Sequence, residues 1–167
     1  MISIAGDKEV QLELHDMEMR AANPEPLWGN LAGMFRKLAR GQYASDGARG
    51  PGGQWPDLAP STIAAKARMG GDKRKLRMWG DLYDSLTKKG DGGNLYLPFK
   101  DYMIWGSSLD YFKFHQSRRE RMLTADGVVK LPRRAVIDPT TVDKLEMGRR
   151  VRKWLRGRDM PGDGAGF

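Results

Sequence analysis

Two histidines are the natural starting point for a search for chemistry in this sequence, which contains no cysteine. The lack of cysteine excludes disulfides, thiolate zinc sites and cysteine nucleophiles. His15 lies at an exposed position of a helical pattern, with no acid at a repeated metal-ligand spacing, and we interpret it as a surface residue. His115 lies on a short aromatic segment, which favours a packed histidine over a catalytic base or ligand. We therefore predict no metal site and no cofactor.

Two other patterns bear on catalysis. Asp81 and Asp84 are spaced as a carboxylate pair, but both fall in a helical segment where capping and solvation explain them. The segment Gly47–Gly53 is rich in glycine, yet no Lys-Ser or Lys-Thr follows at the distance that a phosphate-binding loop requires. The sequence therefore predicts a protein that is not an enzyme.

Positive charge is concentrated in the last third of the chain. The net charge is +8, and the segment Lys113–Arg158 alone carries fourteen basic and five acidic residues. Such a segment can bind nucleic acid or an acidic protein surface, and the simpler alternative is a solvated helix face. No helix-turn-helix, zinc-finger or ribonucleoprotein motif is present, which argues against sequence-specific recognition. The cations that would make such contacts are Arg149, Arg150, Arg152, Lys153 and Arg156.

The aromatic stretch Leu95–Gln116 predicts the central elements of the fold. The apolar runs Asn94–Leu97 and Tyr102–Trp105 flank a short polar turn, and their β-branched and aromatic residues favour an antiparallel pair of strands. Ser107 has the character of a helix N-cap, so we expect a helix that begins near Ser108.

Helical periodicity predicts the elements on either side. Apolar residues recur at helical spacing over Lys8–Ala22 and again from Pro24 to Arg40, where Gly41 provides a stop signal. The two helices should form an antiparallel hairpin or project together. Further helices are expected over Thr62–Met69 and over a C-terminal segment, Thr140–Arg156.

Three remaining segments have weaker patterns. A helical face extends from Leu76, although a glycine within it leaves Asp81 as an alternative start. Ser117–Gly127 is polar and charged and is predicted to be a loop. Val128–Leu131 and Ala135–Ile137 have the character of short strands at a sheet edge, separated by a proline.

Together these elements predict an α+β fold: a small antiparallel sheet packed against helices, with an N-terminal helical hairpin and a C-terminal helix. We expect a single domain overall, with the hairpin at residues 1–41, an α+β core at 42–158 and a flexible tail at 159–167. The N-terminus lacks a signal-peptide pattern and no apolar stretch is long enough to span a membrane. We therefore expect the protein in the cytosol, with no membrane partner.

Several short motifs occur in an order that is similar to that of a known family. The glycine-rich loop is followed by GQWPDLAPSTIAAK, LRMWGDLYDSL, MIWGSSLDYFKFHQ and KLPRRAVI, and then by the terminal helix. In this order they resemble the phage virion morphogenesis family, the tail completion proteins of Mu-like and related tailed phages. The matching residues are Trp55, Leu58, Thr62, Lys66, Leu76, Gly80, Leu82, Ser85, Leu86, Gly106, Ser107, Tyr111, His115, Gln116, Pro132 and Arg134.

This resemblance implies a structural virion protein that completes the tail or joins it to the head. It also implies a ring of identical copies, hexameric in this family, around the DNA channel and next to other tail and head–tail connector proteins. The protein would be found in the tail or neck of the virion, and in the host cytoplasm during assembly. The alternative function is a non-specific DNA-binding module that uses the basic C-terminal helix, in contact with packaged DNA.

The resemblance also implies roles for particular residues. The loops Gly47–Gly53 and Ser117–Gly127 would reach adjacent subunits, and the cations at the end of the C-terminal helix would face the DNA channel or an acidic partner. Trp79 is expected to help hold the fold. The other residues expected to act as structural anchors are Trp55, Leu58, Leu82, Trp105, Tyr111 and His115.

Overall fold

The computed structural model describes residues 7–117, 132–158 and 160, together with the backbone of 122–124 and 127–129. The helices of this part of the chain are α1 (Asp7–Ala22), α2 (Glu25–Ala44), α3 (Pro60–Arg68), α4 (Asp81–Thr87), α5 (Phe112–Gln116) and α6 (Thr141–Leu155). Its strands are β1 (Asn94–Pro98), β2 (Met103–Ser107), β3 (Met122–Thr124) and β4 (Gly127–Val129).

The predicted α+β fold is confirmed, with its N-terminal helical hairpin, its small antiparallel sheet and its C-terminal helix. Only Asn23 and Pro24 separate α1 from α2. β1 and β2 form a hairpin in which the amide of Phe99 donates to the carbonyl of Tyr102 (2.8 Å) at the turn. At the open end the amide of Ser108 donates to the carbonyl of Gly93 (2.9 Å), so the pairing is antiparallel.

The chain divides into two compact units. Unit 1 comprises Met1–Met34, Leu97–Met103 and Thr141–Phe167, and unit 2 comprises Phe35–Tyr96 and Ile104–Thr140. The boundary between them falls inside α2 and inside the β1–β2 hairpin. The predicted boundary at residue 41 stays a prediction, and the predicted tail at 159–167 lies, apart from Met160, outside the described residues.

In unit 1, α1 packs against α6. The guanidinium of Arg20 donates to the carbonyl of Leu155 (2.8 Å) and so binds the end of α6. Leu27 and Leu31 of α2 are buried, whereas no residue of α1 is buried. Because none of its residues is buried, α1 gains little stability from its present contacts. A helix of 16 residues is only marginally stable in water without packing.

Unit 2 contains the larger core, which is formed by residues far apart in sequence. Its buried members are Ala39, Tyr43, Trp55, Leu82, Leu86 and Val136. The ring of Tyr43 lies edge-on to that of Trp55, with centroids 5.4 Å apart. Trp105 of β2 stacks on Phe35 of α2 at 5.3 Å, and this contact packs the hairpin against a helix, as predicted.

The predicted end of α2 at Gly41 is wrong. The helix continues to Ala44, and the carbonyl of Gly41 still accepts a helical hydrogen bond from the amide of Ser45 (3.1 Å). The amide of Gly47 then donates to the carbonyl of Gln42 (2.9 Å) and closes the helix, which ends four residues beyond the predicted end at Arg40. Gly47 has the left-handed φ of +91° that this closure requires.

Two predictions about strands in the second half of the chain also need correction. The predicted loop Ser117–Gly127 contains β3, which pairs antiparallel with β4, for example Met122 with Val129. The other residues of that loop from 118 onward, 118–121 and 125–126, lie outside the described part of the chain. Ala135–Ile137 is not a strand. The amides of Val136 and Ile137 donate to the side chain of Gln116 and not to a neighbouring strand.

Two helix starts differ from expectation as well. α4 begins at Asp81, the later of the two alternatives, because Gly80 has a φ of +103° that no helix can include. α5 begins at Phe112 instead of near Ser108. Ser107 does accept from the amide of Leu109 (3.3 Å), but its hydroxyl also bonds that of Ser85 (2.9 Å) and thereby ties β2 to α4.

In the described part of the chain, no helix combines the length and the apolar character needed to cross a membrane.

Candidate functional site

Unit 2 contains an open groove of about 630 Å³, which we call the unit 2 groove. Segments 57–59, 76–82 and 132–134 contribute its walls, together with α3 and α5. Its lining is mainly apolar, with a small number of charged groups at the edges, as is typical of a binding surface. The residues used below are Leu58, Lys66, Leu76, Arg77, Met78, Trp79, Tyr111, His115 and Arg134.

One wall of the groove is a loop that folds around the side chain of Lys66. This lysine is 7% exposed, and its ammonium group donates to the carbonyls of Asp72 (2.9 Å) and Arg74 (2.7 Å), with a longer contact to that of Arg77 (3.4 Å). Burial lowers the pKa of Lys66. Leu76, inside the loop, has a left-handed φ of +55°, a conformation that costs energy for a residue with a Cβ. The lysine therefore stabilises a strained loop.

Replacing Lys66 by methionine should lower the free energy of unfolding by about 2 kcal/mol, since methionine retains the apolar stem but leaves three carbonyls without their donor. Urea unfolding measures the loss, and hydrogen exchange should become faster in residues 72–78. Lys73→Met is the matched control, because Lys73 lies in the same loop and is exposed. Equal losses in the two variants would contradict the role of Lys66.

Arg134 also lines the groove, and it connects two distant segments of the chain. Its guanidinium donates to the carbonyls of Pro56 (3.1 Å) and Asp57 (3.0 Å), while its own amide donates to the carbonyl of His115 (2.9 Å). Burial lowers the pKa of Arg134. One residue therefore holds together the segment after Trp55, the end of α5 and its own irregular segment.

Gln116 performs a similar role beside it. Its amide oxygen accepts from the backbone amides of Val136 (3.1 Å) and Ile137 (3.3 Å), and its amide nitrogen donates to the carbonyl of Ile137 (2.5 Å). The indole nitrogen of Trp55 donates to the carbonyl of Ala135 (3.1 Å). Segment 134–137 is thus held by the side chains of Trp55 and Gln116, which belong to other parts of the chain.

His115 is half-buried in the groove wall. Its ring lies edge-on to that of Tyr111, with centroids 6.5 Å apart, and its Nδ1 is buried without a hydrogen-bond partner in the described structure. Burial, with a smaller contribution from the charge of Arg134, lowers the pKa of His115 from 6.5 to about 4. The imidazole is therefore neutral at pH 7.

This depressed pKa predicts a loss of stability in acid. Between about pH 6.5 and pH 4 the unfolded chain binds a proton at His115 and the folded chain does not, so stability falls as the pH falls. Solvent screening at this partly exposed site reduces the expected contribution to about 1–2 kcal/mol. Urea unfolding at pH 7 and pH 4.5 should show a smaller acid destabilisation in His115→Gln than in wild type. His15→Gln removes the exposed histidine of α1 and is the control; identical pH dependence in wild type and His115→Gln would contradict the prediction.

The groove lining carries charged groups of both signs, with Asp57 and Asp81 beside Lys66, Arg77 and Arg134. Arg77 lies over the ring of Tyr83, with its guanidinium carbon 3.7 Å from the centroid, and Lys66 and Arg134 donate to carbonyls. Asp57 is paired with Lys75, which lies outside the lining, at 2.9 Å. The groove therefore combines an apolar surface with charges of both signs.

The structure places the predicted anchors in three environments. Trp55 and Leu82 are buried in the core of unit 2, and Trp105 packs at its edge against α2. The other anchors, Leu58, Tyr111 and His115, line the groove. Trp79 is 64% exposed, so the expectation that it helps to hold the fold is wrong. Its position just before Gly80 keeps it in the wall loop instead of on a helix that faces the core.

The predicted cationic contacts lie on α6 in unit 1. Arg149 and Arg150 both pair with Glu146, and Arg150 also donates to the side chain of Asn30 (2.7 Å). Arg152 and Arg156 are exposed, whereas Lys153 is partly buried. α6 therefore uses some of these cations to hold itself in place and leaves others at the surface.

Sequence reasoning did not identify the structural roles of Lys66, Gln116 and Arg134, although all three were among the matching motif residues. Polar residues of this kind are usually exposed, and nothing in their spacing reveals which carbonyls they bind. A usable signal existed for two of them, because Lys66 precedes Gly70 and Arg134 follows Pro132, and main-chain groups outside regular structure need partners.

Within the described residues no group of three or more histidine, aspartate or glutamate side chains is arranged to hold a metal ion. Comparisons of the chain with protein-family models, with curated proteins and with solved structures give no match.

Proposed function

We propose that this protein is a structural subunit of a tailed-phage particle that completes the tail or joins it to the head. The observation that carries the proposal is the convergence of the motif residues in unit 2. Trp55, Gln116 and Arg134 belong to three of the motifs, and each binds main-chain atoms of another motif or of its immediate continuation. Motifs whose side chains bind the main chain of other motifs stabilise a common fold. This supports the proposal, because the resemblance implies that these motifs belong to one fold.

The way in which polar side chains are used also supports a structural role. Lys66 and Arg134 direct their donors to backbone carbonyls, and Gln116 binds both amides and a carbonyl. Catalysis instead needs polar groups that converge on an open position where a substrate atom can sit. On this proposal the protein has no catalytic residue and no cofactor, and acts by contact with copies of itself and with neighbouring tail and connector proteins.

Particles made without the protein provide the test. Infection with a phage in which this coding sequence is deleted should yield filled heads and separate or incomplete tails, visible by electron microscopy, and the wild-type chain supplied from a plasmid should restore joined particles. A tagged copy should be located at the head-proximal end of the tail, as a ring around the DNA path. Normal infectious particles from the deletion strain would refute the proposal.

Non-specific DNA binding is a second candidate, supported by the face of α6. Arg149 and Arg152 lie on one side of the helix and Arg156 follows directly after its end, and all three are exposed. If this face contacts DNA, affinity should fall steeply with salt, and Arg152→Gln/Arg156→Gln should weaken binding and reduce the salt slope by about 2. Lys73→Gln/Lys89→Gln, which removes two exposed cations of unit 2, is the control. Unchanged binding in the α6 variant would exclude this function for the helix.

A further inference from the structure

The turn end of the β1–β2 hairpin exposes an apolar surface in unit 1. All six residues of segment 97–102, which we call the hairpin tip, are exposed. Its large apolar side chains are Leu97, which is 44% exposed, Phe99 at 42% and Tyr102 at 54%. Phe99 and Tyr102 are cross-strand neighbours whose rings stack with centroids 4.6 Å apart. Leu97 lies two residues before Phe99 and therefore on the same face, so the three side chains form one apolar surface.

The hairpin tip is fixed in position by α2. The indole nitrogen of Trp28 donates to the carbonyl of Phe99 (2.7 Å), and both residues belong to unit 1. This hydrogen bond and the stacked pair of rings hold the apolar surface in one arrangement before any partner binds. Binding at such a surface costs little conformational entropy, because few side chains have to be ordered.

The charge of the hairpin tip is balanced. Lys100 and Asp101 form the turn between Phe99 and Tyr102, and both side chains are exposed. Neither forms an ion pair within the described part of the chain. The hairpin tip therefore has no net charge, although the whole chain has a charge of +8. Two copies can approach each other at this surface without the repulsion that the overall charge produces elsewhere.

We infer that the hairpin tip binds the same hairpin tip of a second copy of this chain through a two-fold contact. In a two-fold contact both copies present the same surface, so the apolar side chains of one tip cover those of the other. Lys100 of each copy lies next to Asp101 of the other, which gives two reciprocal ion pairs. These reciprocal charges select a second copy as the occupant, because a partner with a single sign of charge would match only one of the two residues.

The exposed area is consistent with a weak dimer. If each residue of the hairpin tip contributes about 100 Å², each copy buries about 600 Å², and the total lies at the lower limit of about 1,200 Å² for specific interfaces. We therefore expect a dissociation constant of about 10–100 μM. The inference goes beyond the proposed function, because a two-fold contact joins copies in pairs and so describes the free protein, not a ring.

Sedimentation equilibrium on the full-length protein, at concentrations above and below the expected dissociation constant, tests the inference. Wild type should show a monomer–dimer equilibrium. Phe99→Glu/Tyr102→Glu should weaken dimerisation at least about a hundredfold, because it removes the stacked rings and brings like charges together. The control Val142→Glu/Leu145→Glu replaces two exposed apolar residues of α6 and should dimerise as wild type does. Circular dichroism checks that each variant is folded.

Charge reversal in the turn is the decisive measurement, since it changes exposed residues that have no contact with the core. Lys100→Glu and Asp101→Lys should each weaken dimerisation about tenfold, because each replaces two ion pairs by two like-charge contacts. An equimolar mixture of these two variants should form a heterodimer more tightly than either variant dimerises alone. Lys100→Asp/Asp101→Lys should restore the affinity of wild type, because the reversed pairs are again reciprocal.

Three outcomes would overturn the inference. The first is a wild type that stays monomeric, and the second is a dimer that persists in Phe99→Glu/Tyr102→Glu and therefore uses another surface. The third is a dimer whose affinity does not respond to the charge reversals or is not restored by the double reversal. The particle experiment tests the proposed function independently, so either proposal can fail while the other stands.

Discussion

Trp55→Ala should lower the free energy of unfolding by about 3–5 kcal/mol, the usual cost of removing a buried tryptophan. The side chain is 4% exposed and packs edge-on against Tyr43 in the core of unit 2. The substitution also removes one of the two side-chain donors to the carbonyl of Ala135, the indole N–H at 3.1 Å, and leaves the side-chain amide of Gln42 as the other. Because native domains are stable by about 5–15 kcal/mol, this single change should remove a large part of the margin. Urea unfolding followed by circular dichroism measures it.

Trp79→Ala is the matched control, with the same pair of residue types at an exposed position. Trp79 is 64% exposed, so its replacement should change the free energy of unfolding by no more than about 0.5 kcal/mol. Trp55→Phe separates the two contributions at the buried position, because it retains a ring but removes the indole donor, and it should cost about 1–2 kcal/mol. A large loss in Trp79→Ala, or a small one in Trp55→Ala, would show that the core has been placed wrongly.

Gly47→Ala is expected to cost about 2–4 kcal/mol. A left-handed φ costs a residue with a Cβ about 1–2 kcal/mol, and overpacking of a core adds about 1–3 kcal/mol. Gly47 has a φ of +91°, and a Cβ built on it would lie 2.6 Å from Nε1 and 2.7 Å from Cγ of Trp55. No real Cβ contact is so short, so the indole would have to move from the core.

Gly53→Ala isolates the backbone part of that cost. Gly53 has a comparable φ of +75°, but a Cβ there would meet nothing within 4 Å. It should therefore cost only about 1 kcal/mol, and the difference between the two variants measures the clash with Trp55. If Gly47→Ala and Gly53→Ala destabilise the protein equally, the close approach of the indole to Gly47 does not contribute to the cost of Gly47→Ala.

Local patterns were sufficient for the regular elements. The helical spacing over Lys8–Ala22 matches α1 within one residue, and the two aromatic runs predicted the strands of the β1–β2 hairpin within two residues at each end. These succeed because helical and strand periodicities follow from the backbone of the element itself. Gly41 misled the prediction of the end of α2, because a glycine signals a helix end only when no tertiary contact extends the helix beyond it.

The groove depends on contacts that have no local pattern. Lys66 binds carbonyls six to eleven residues later, and Arg134 binds carbonyls 77 and 78 residues earlier. Such bonds depend on where the chain returns in space, which residue type alone does not reveal. The same reason explains Trp79, which was expected inside and is exposed, because Gly80 ends the helical pattern that would have turned it towards the core.

The amino-acid sequence by itself determined the α+β class, the main helices, the aromatic hairpin and the concentration of positive charge near the C-terminus, since each depends on spacing or composition. It also contained the motifs whose order resembles a phage tail completion family. Only the tertiary structure decided that Gln116 and Arg134 hold segments far away in the chain, that Lys66 supports a groove, and that no residue of α1 is buried. Burial and long-range hydrogen bonds decide these features, and both are properties of the folded chain instead of any one segment.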